Sequence, residues 1–120
     1  MISLELPWPP STNRIWRNVV VQGKPRTLLS QEGRAYRAHV AKLVLLARAN
    51  RQLAGRVMVD VVAQAPDRRG RDLDNILKAT LDALTHAGVW QDDSQIDRIL
   101  VERGAVSKPG RLLVAISYEE

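Results

Sequence analysis

The run Val57-Met58-Val59-Asp60-Val61-Val62-Ala63-Gln64 constrains the fold more than any other stretch of this chain. Val57, Val59, Val61 and Ala63 share one face of a strand, and Met58, Asp60, Val62 and Gln64 share the other. A strand that apolar on both faces belongs inside a sheet, with neighbours on each side. Pro66 and Gly70 punctuate the loop that follows. From about Asp74 to Ala87 the period changes to that of a helix, with Ile76, Leu77, Thr80, Leu81, Ala83 and Leu84 on its core side. Gly88 is placed to end it as a left-handed cap.

The flanking segments supply the remaining layers. Ile2, Leu4 and Leu6 alternate with Ser3 and Glu5 as a strand with one buried face, and Pro7-Trp8-Pro9-Pro10-Ser11 forces an extended exit. Val19 to Val21 and Thr27 to Leu29 predict a hairpin around a four-residue turn, Gln22-Gly23-Lys24-Pro25. Ser30 caps a helix expected to run to about Gln52, with Glu32 in its first turn. Tyr36, Val40, Leu43, Val44 and Ala47 fall on its apolar face, and Arg34, Arg37, Arg48 and Arg51 on a neighbouring stripe. Ile96 to Arg103 and Arg111 to Tyr118 read as the last two strands, joined through Ser107-Lys108-Pro109-Gly110. Residues 1–120 thus predict a single α+β domain, a mixed β-sheet with two α-helices packed on one face.

Composition narrows the function. The absence of Cys excludes disulfides, thiolate zinc sites and cysteine nucleophiles, and suits a reducing cytoplasm. No apolar run approaches the ~20 residues that span a bilayer, and the first ten residues contain no secretory hydrophobic core, so no membrane partner is expected. Lys and Arg number 18 against 13 Asp and Glu, a surplus that favours a polyanionic partner, nucleic acid first and acidic lipid second.

Against that basic background stands Pro66-Asp67-Arg68-Arg69-Gly70-Arg71-Asp72-Leu73-Asp74-Asn75, followed by Lys78 and Asp92-Asp93. Asp72 and Asp74 point the same way in an extended segment. Two carboxylates ~4 Å apart repel by about 4 kcal/mol at an effective dielectric near 20, so a proton, an arginine or a cation has to relieve them. Mg²⁺ suits such a pair, because it takes one or two carboxylates and leaves its other positions to water and phosphate. Asp74, Lys78, Asp82 and Thr85 lie on one arc of the helix, with Lys78 one turn above Asp74. Asp92-Asp93 offers the candidate third ligand. Asp93 reaches Asp72 only if the chain doubles back at once after a helix roughly 20 Å long, or if a second subunit intervenes. Arginines hold phosphates by bidentate hydrogen bonds, which makes Arg68, Arg69 and Arg71 candidates for phosphate binding. Plainer roles compete: Asp72 or Asp74 as a helix cap, Asp92 or Asp93 as turn residues, the arginines in ion pairs with Asp67 and Asp72, and Lys78 paired with Asp74 or Asp82. His39 and His86 read as surface residues, and Trp8 and Trp16 as packing residues rather than platforms for bases.

Four blocks in order resemble the RusA-type crossover junction endodeoxyribonucleases, which resolve Holliday junctions. They are Leu6-Pro7-Trp8-Pro9-Pro10-Ser11-Thr12-Asn13-Arg14, Ser30-Gln31-Glu32-Gly33-Arg34-Ala35-Tyr36-Arg37, the Pro66 to Asn75 stretch with Lys78, and Ala87-Gly88-Val89-Trp90-Gln91-Asp92-Asp93-Ser94-Gln95. The resemblance implies a homodimeric, Mg²⁺-dependent enzyme, with Mn²⁺ able to substitute, that binds four-way DNA junctions and nicks two opposed strands without an organic cofactor. It implies essential aspartates at Asp72, Asp74 and Asp93, a catalytic lysine at Lys78, and DNA contact by Asn13 and Arg14 with the arginines of the loop. Asp92 falls beside the essential set as a further ligand or a support to it, and Gly70 departs from the basic residue of the family pattern. Two other readings share parts of this composition: a non-catalytic structure-selective DNA-binding protein, and a metal-dependent nuclease specific for flaps or single strands.

Overall fold

A computed structural model describes residues 1–119. The order of elements is β1 (Ile2–Pro7), α1 (Thr12–Ile15), β2 (Trp16–Val21), β3 (Lys24–Leu29), α2 (Gln31–Leu46), β4 (Val57–Gln64), α3 (Asp74–His86), a 3-10 turn (Asp93–Gln95), β5 (Ile96–Arg103) and β6 (Arg111–Tyr118). The fold is α+β, with a mixed four-stranded sheet in the order β1-β6-β4-β5. β4 is central as its apolar composition requires, antiparallel to β6 and parallel to β5, with α3 in the crossover between the parallel pair.

Alternation along the strands places Ile2, Leu4 and Leu6 of β1, Val57, Val59, Val61 and Ala63 of β4, and Leu112, Val114 and Ile116 of β6 in one buried cluster. Tyr36, Val40 and Val44 of α2 and Ile76, Ala79, Ala83 and Leu84 of α3 join it, with Ile15, Ala49, Val89 and Trp90. Every aliphatic side chain withdrawn there contributes about 1.5–3 kcal/mol relative to exposure. Among the described residues no helix is long and apolar enough to cross a membrane.

Three boundaries differ from expectation. The hairpin turn is two residues, with Val21 paired to Lys24, because Gln22 and Gly23 both adopt positive φ (53° and 76°) and twist the strands as a tight primed turn does. Helix α2 ends at Leu46 and not near Gln52: Arg48 turns left-handed at φ 55°, and the Ala49 N–H bonds back to the Val44 carbonyl at 2.9 Å. Ala49 is therefore buried in place of Ala47, and Arg48 and Arg51 lie beyond the helix that was expected to carry them. The third difference is α1, a single turn whose apolar signal is only Ile15, too short for periodicity to reveal.

Two of the predicted caps are present. Ser30 accepts from the Gly33 N–H at 3.0 Å, and Gly88 follows α3 at φ 85°.

Candidate active site

The loop between β4 and α3 is organised by Asp67. Its carboxylate accepts from Arg71 at 2.7 Å and from the Arg69 N–H at 3.0 Å, and Arg71 also donates to the Asp67 carbonyl at 3.3 Å. The Arg71 side-chain bond, reinforced by the Arg69 backbone, holds the Asp67 carboxyl down at about 2. Arg71 thus has its guanidinium fixed on one edge, while its plane lies 5.7 Å from the centroid of the Trp8 ring. Arg103 donates to the Arg71 carbonyl and ties the loop to the end of β5.

This loop forms one wall of a cleft of about 570 Å³, lined by Trp8 to Ser11, Arg14, Arg69, Gly70, Arg71, Asp72, Asn75 and Ile76. Three of the expected phosphate contacts, Arg14, Arg69 and Arg71, therefore meet one of the expected ligands, Asp72, in a single concavity. Arg68 and Asn13 are exposed but lie outside its lining. Gly70 leaves open space where a side chain would project. A larger groove of about 740 Å³ runs along β1 and the C-terminal half of α2, but among the described residues lining it Glu5 is the only carboxylate.

Asp72 and Asp74 flank the start of α3 and both are exposed. Leu73 occupies the cap position, and neither aspartate caps the helix with its side chain, which removes the simplest structural reason for the pair. Asp74, Lys78 and Asp82 follow at successive turns of α3. Among the described residues Lys78 makes no ion pair within 4 Å, although an acid lies one turn away on each side. Its ammonium instead lies 4.8 Å from the centroid of the Trp16 ring.

The chain doubles back after α3. Val89 bonds to the Leu84 carbonyl, and buried Trp90 donates to the Thr85 hydroxyl at 2.7 Å. Gln95 then fixes the turn: its side-chain oxygen accepts from the N–H groups of Gln91 and Asp92, and its amide donates to the carbonyls of Leu53 and Gly55. Asp92 caps the 3-10 turn by accepting from the Ser94 N–H at 3.0 Å, so the turn role foreseen for it is the one it fills. Asp93 lies within electrostatic reach of Asp82, which stands two helical turns, about 12 Å of rise, past Asp74. Burial pushes the Asp82 carboxyl above its ordinary value and the Asp93 charge adds to this, while Lys78 and Arg37 pull it back.

Asp74, Lys78 and Asp82 thus form a stripe along α3, with Asp72 just before its start and the Asp93 charge felt at Asp82. Among the described residues no three His, Cys, Asp or Glu side chains converge into a group able to hold an ion. Mg²⁺ asks for less, since one or two carboxylates and open positions for water and phosphate suffice, and the exposed Asp72–Asp74 pair beside the arginine cleft matches that donor chemistry. Sequence spacing placed Asp82 on this face only as a partner for Lys78, and it read both indoles as packing residues. Both do pack against the core, yet each also lies beneath a cation of the site.

Residues 7–117 match the family model described as Endodeoxyribonuclease RusA. Crossover junction endodeoxyribonuclease RusA of Escherichia coli strain K12 is 45% identical over 115 residues, 96% of this chain and 92% of the relative. The protein of that name from Shigella sonnei is 44% identical over the same shares. The one from Enterobacteria phage 82 is 44% identical over 114 residues, 95% of this chain and 92% of the phage protein.

Proposed function

The chain belongs to the RusA family of endodeoxyribonucleases, and from that premise we propose that it binds four-way DNA junctions and resolves them by paired nicks in opposed strands. The observation that carries this reading is the place of exposed Asp72, two residues before exposed Asp74, in the lining of the cleft that gathers Arg14, Arg69 and Arg71. Hard oxygen donors and phosphate-binding cations share one rim, as metal-assisted hydrolysis of a phosphodiester requires.

Asp72, Asp74 and Asp93 are the residues that would hold Mg²⁺, or Mn²⁺ in its place; a divalent cation there polarises a phosphoryl oxygen and acidifies a water. The Arg71 guanidinium, fixed by Asp67, presents its remaining donors to a phosphate, and Arg14 and Arg69 extend the anchorage along the strand. Asn13 and Arg68 add contacts outside the cleft. The Lys78 ammonium offsets charge that develops on the phosphoryl oxygens as the bond breaks. Each subunit is a two-layer unit of sheet and helices and the active form is a homodimer, because a junction presents like strands in two-fold related pairs and two-fold symmetry supplies two like sites. The enzyme acts in the cytoplasm, where its DNA substrate lies.

The test is cleavage and binding of labelled four-way junction, duplex and flap DNA with and without Mg²⁺. Junction-specific, metal-dependent nicking is expected, with Asp72→Asn and Asp74→Asn binding as tightly as wild type and cutting nothing. Undiminished cutting by both variants would refute the catalytic assignment. Equal cutting of all three DNAs would refute the junction specificity.

A further inference from the structure

Lys78 is an exposed side chain at the middle of α3 with four rotatable bonds, and a freely rotating ammonium would sweep a wide arc above the helix. Carboxylates stand one turn away on both sides, yet among the described residues it pairs with neither within 4 Å. It lies over the face of Trp16, at a distance where the ring quadrupole attracts a cation. Trp16 is held in turn. It begins β2 opposite Leu29 and packs against the core. The preceding carbonyl, that of Ile15, accepts from the Ser30 N–H at 2.7 Å. Gly33 of α2 allows that segment to approach so closely that a Cβ there would lie 2.8 Å from the same oxygen. The ring is therefore a rigid platform set by tertiary packing.

Resting on the role proposed above for Lys78, we infer that Trp16 is a positioning residue for the reaction: its indole face holds the Lys78 ammonium between the two carboxylate ends of the α3 stripe. Two consequences follow from the geometry. A lysine released from the ring is free to pair with Asp74 or Asp82, and its charge is lost from the place where the phosphoryl group develops its own. The DNA-binding cleft does not include Trp16, so affinity for the junction is not expected to depend on the ring.

The experiment is a double-mutant cycle in the full-length protein, reading single-turnover junction cleavage and junction Kd, with the NMR shift of the Lys78 ε-protons as a readout that needs no DNA. Trp16→Leu should slow cleavage about tenfold at unchanged Kd, while Trp16→Phe, which keeps an aromatic face, should recover most of the rate. In a Lys78→Met background Trp16→Leu should slow cleavage no further. The Lys78 ε-protons should be shifted upfield in the unmodified protein and in Trp16→Phe, and should return to the ordinary position in Trp16→Leu. An equal loss of rate in both backgrounds, or ε-protons at the ordinary position in the unmodified protein, would overturn the inference. The second readout stands even where Trp16→Leu does not fold. A Lys78→Met enzyme cutting at the wild-type rate would instead overturn the role of Lys78 on which the inference rests, whatever the proton shifts show.

Discussion

Gln95 is a buried residue whose carboxamide makes four hydrogen bonds, and its replacement should open the turn that carries Asp92 and Asp93. The oxygen accepts from Gln91 and Asp92, both at 2.8 Å, and the nitrogen donates to Leu53 at 2.7 Å and Gly55 at 2.8 Å. Each such bond contributes about 0.5–1.5 kcal/mol net, and a group left buried without a partner costs about 1–3 kcal/mol. Gln91, Asp92 and Gly55 are exposed residues, so water can recover part of the loss. Gln95→Leu, which keeps the volume and discards all four bonds, should therefore destabilise by about 2–4 kcal/mol. For a chain of 120 residues the unfolding entropy is on the order of 0.25 kcal/mol/K, so Tm should fall by roughly 8–16 °C.

Gln95→Glu separates the donor half from the acceptor half. It retains an oxygen for the two N–H groups but sets a second one against the Leu53 and Gly55 carbonyls. Burial among acceptors raises the pKa of that new carboxyl in the folded state. A raised folded-state value stabilises the protein fully below the unfolded value near 4.3 and the benefit is lost as pH rises through the folded value. The gap in Tm between Gln95→Glu and wild type should therefore narrow as pH falls. Calorimetry over a pH series, with amide exchange at Gln91 and Asp92, measures both effects. A Gln95→Leu protein whose Tm stays within about 2 °C of wild type, with both amides still protected, would refute the argument that this side chain holds the turn.

Gly33→Ala should destabilise by about 1–3 kcal/mol despite alanine's better helix propensity, because its Cβ would meet the Ile15 carbonyl oxygen at 2.8 Å and Leu29 at 2.9 Å; the urea midpoint reports this. Asp67 should titrate at about 2 by carboxyl NMR, and Arg71→Ala should return it toward the ordinary value near 3.9, since the Arg71 bond is the main cause of the depression. A depressed folded-state value stabilises above the unfolded value and is lost as pH falls through about 2, so the Asp67–Arg71 pair should persist through mildly acidic assays. Tyr36, whose phenol is pushed up to about 12 chiefly by burial, should develop phenolate absorbance only near pH 12 in a Tyr118→Phe background.

The sheet was legible because its period is short and its burial one-sided. Ile2, Leu4 and Leu6 are buried as their alternation predicts, and β4 lies centrally as its composition demands. Boundaries set by single backbone conformations were less so. Gln22 and Arg48 take positive φ without being glycine, and nothing in either residue's chemistry announces it, so the hairpin turn was drawn too long and α2 too far. The shared side expected for Asp72 and Asp74 assumed an extended segment, whereas Leu73 between them is helical at φ −62° and ψ −34°, and of the two only Asp72 lines the arginine cleft.

The parts of the site that spacing did not disclose depend on approaches between distant segments. Trp8 and Trp16 come to Arg71 and Lys78 because the chain between β1 and β2 crosses the start of α3, and α1 packs on both long helices. An indole in the sequence carries only the signal of apolar bulk, which the core satisfies for both residues. Its second use, as a flat negative surface beneath a cation, exists only once the fold supplies the cation. The same holds for Gln95, whose amide donates two of its four bonds to carbonyls some forty residues away in sequence. Local spacing therefore located the groups proposed to meet substrate, while the groups proposed to orient them are selected by tertiary packing. For this reason substitution of the orienting residues should change reaction rate or turn stability well before it changes affinity for DNA.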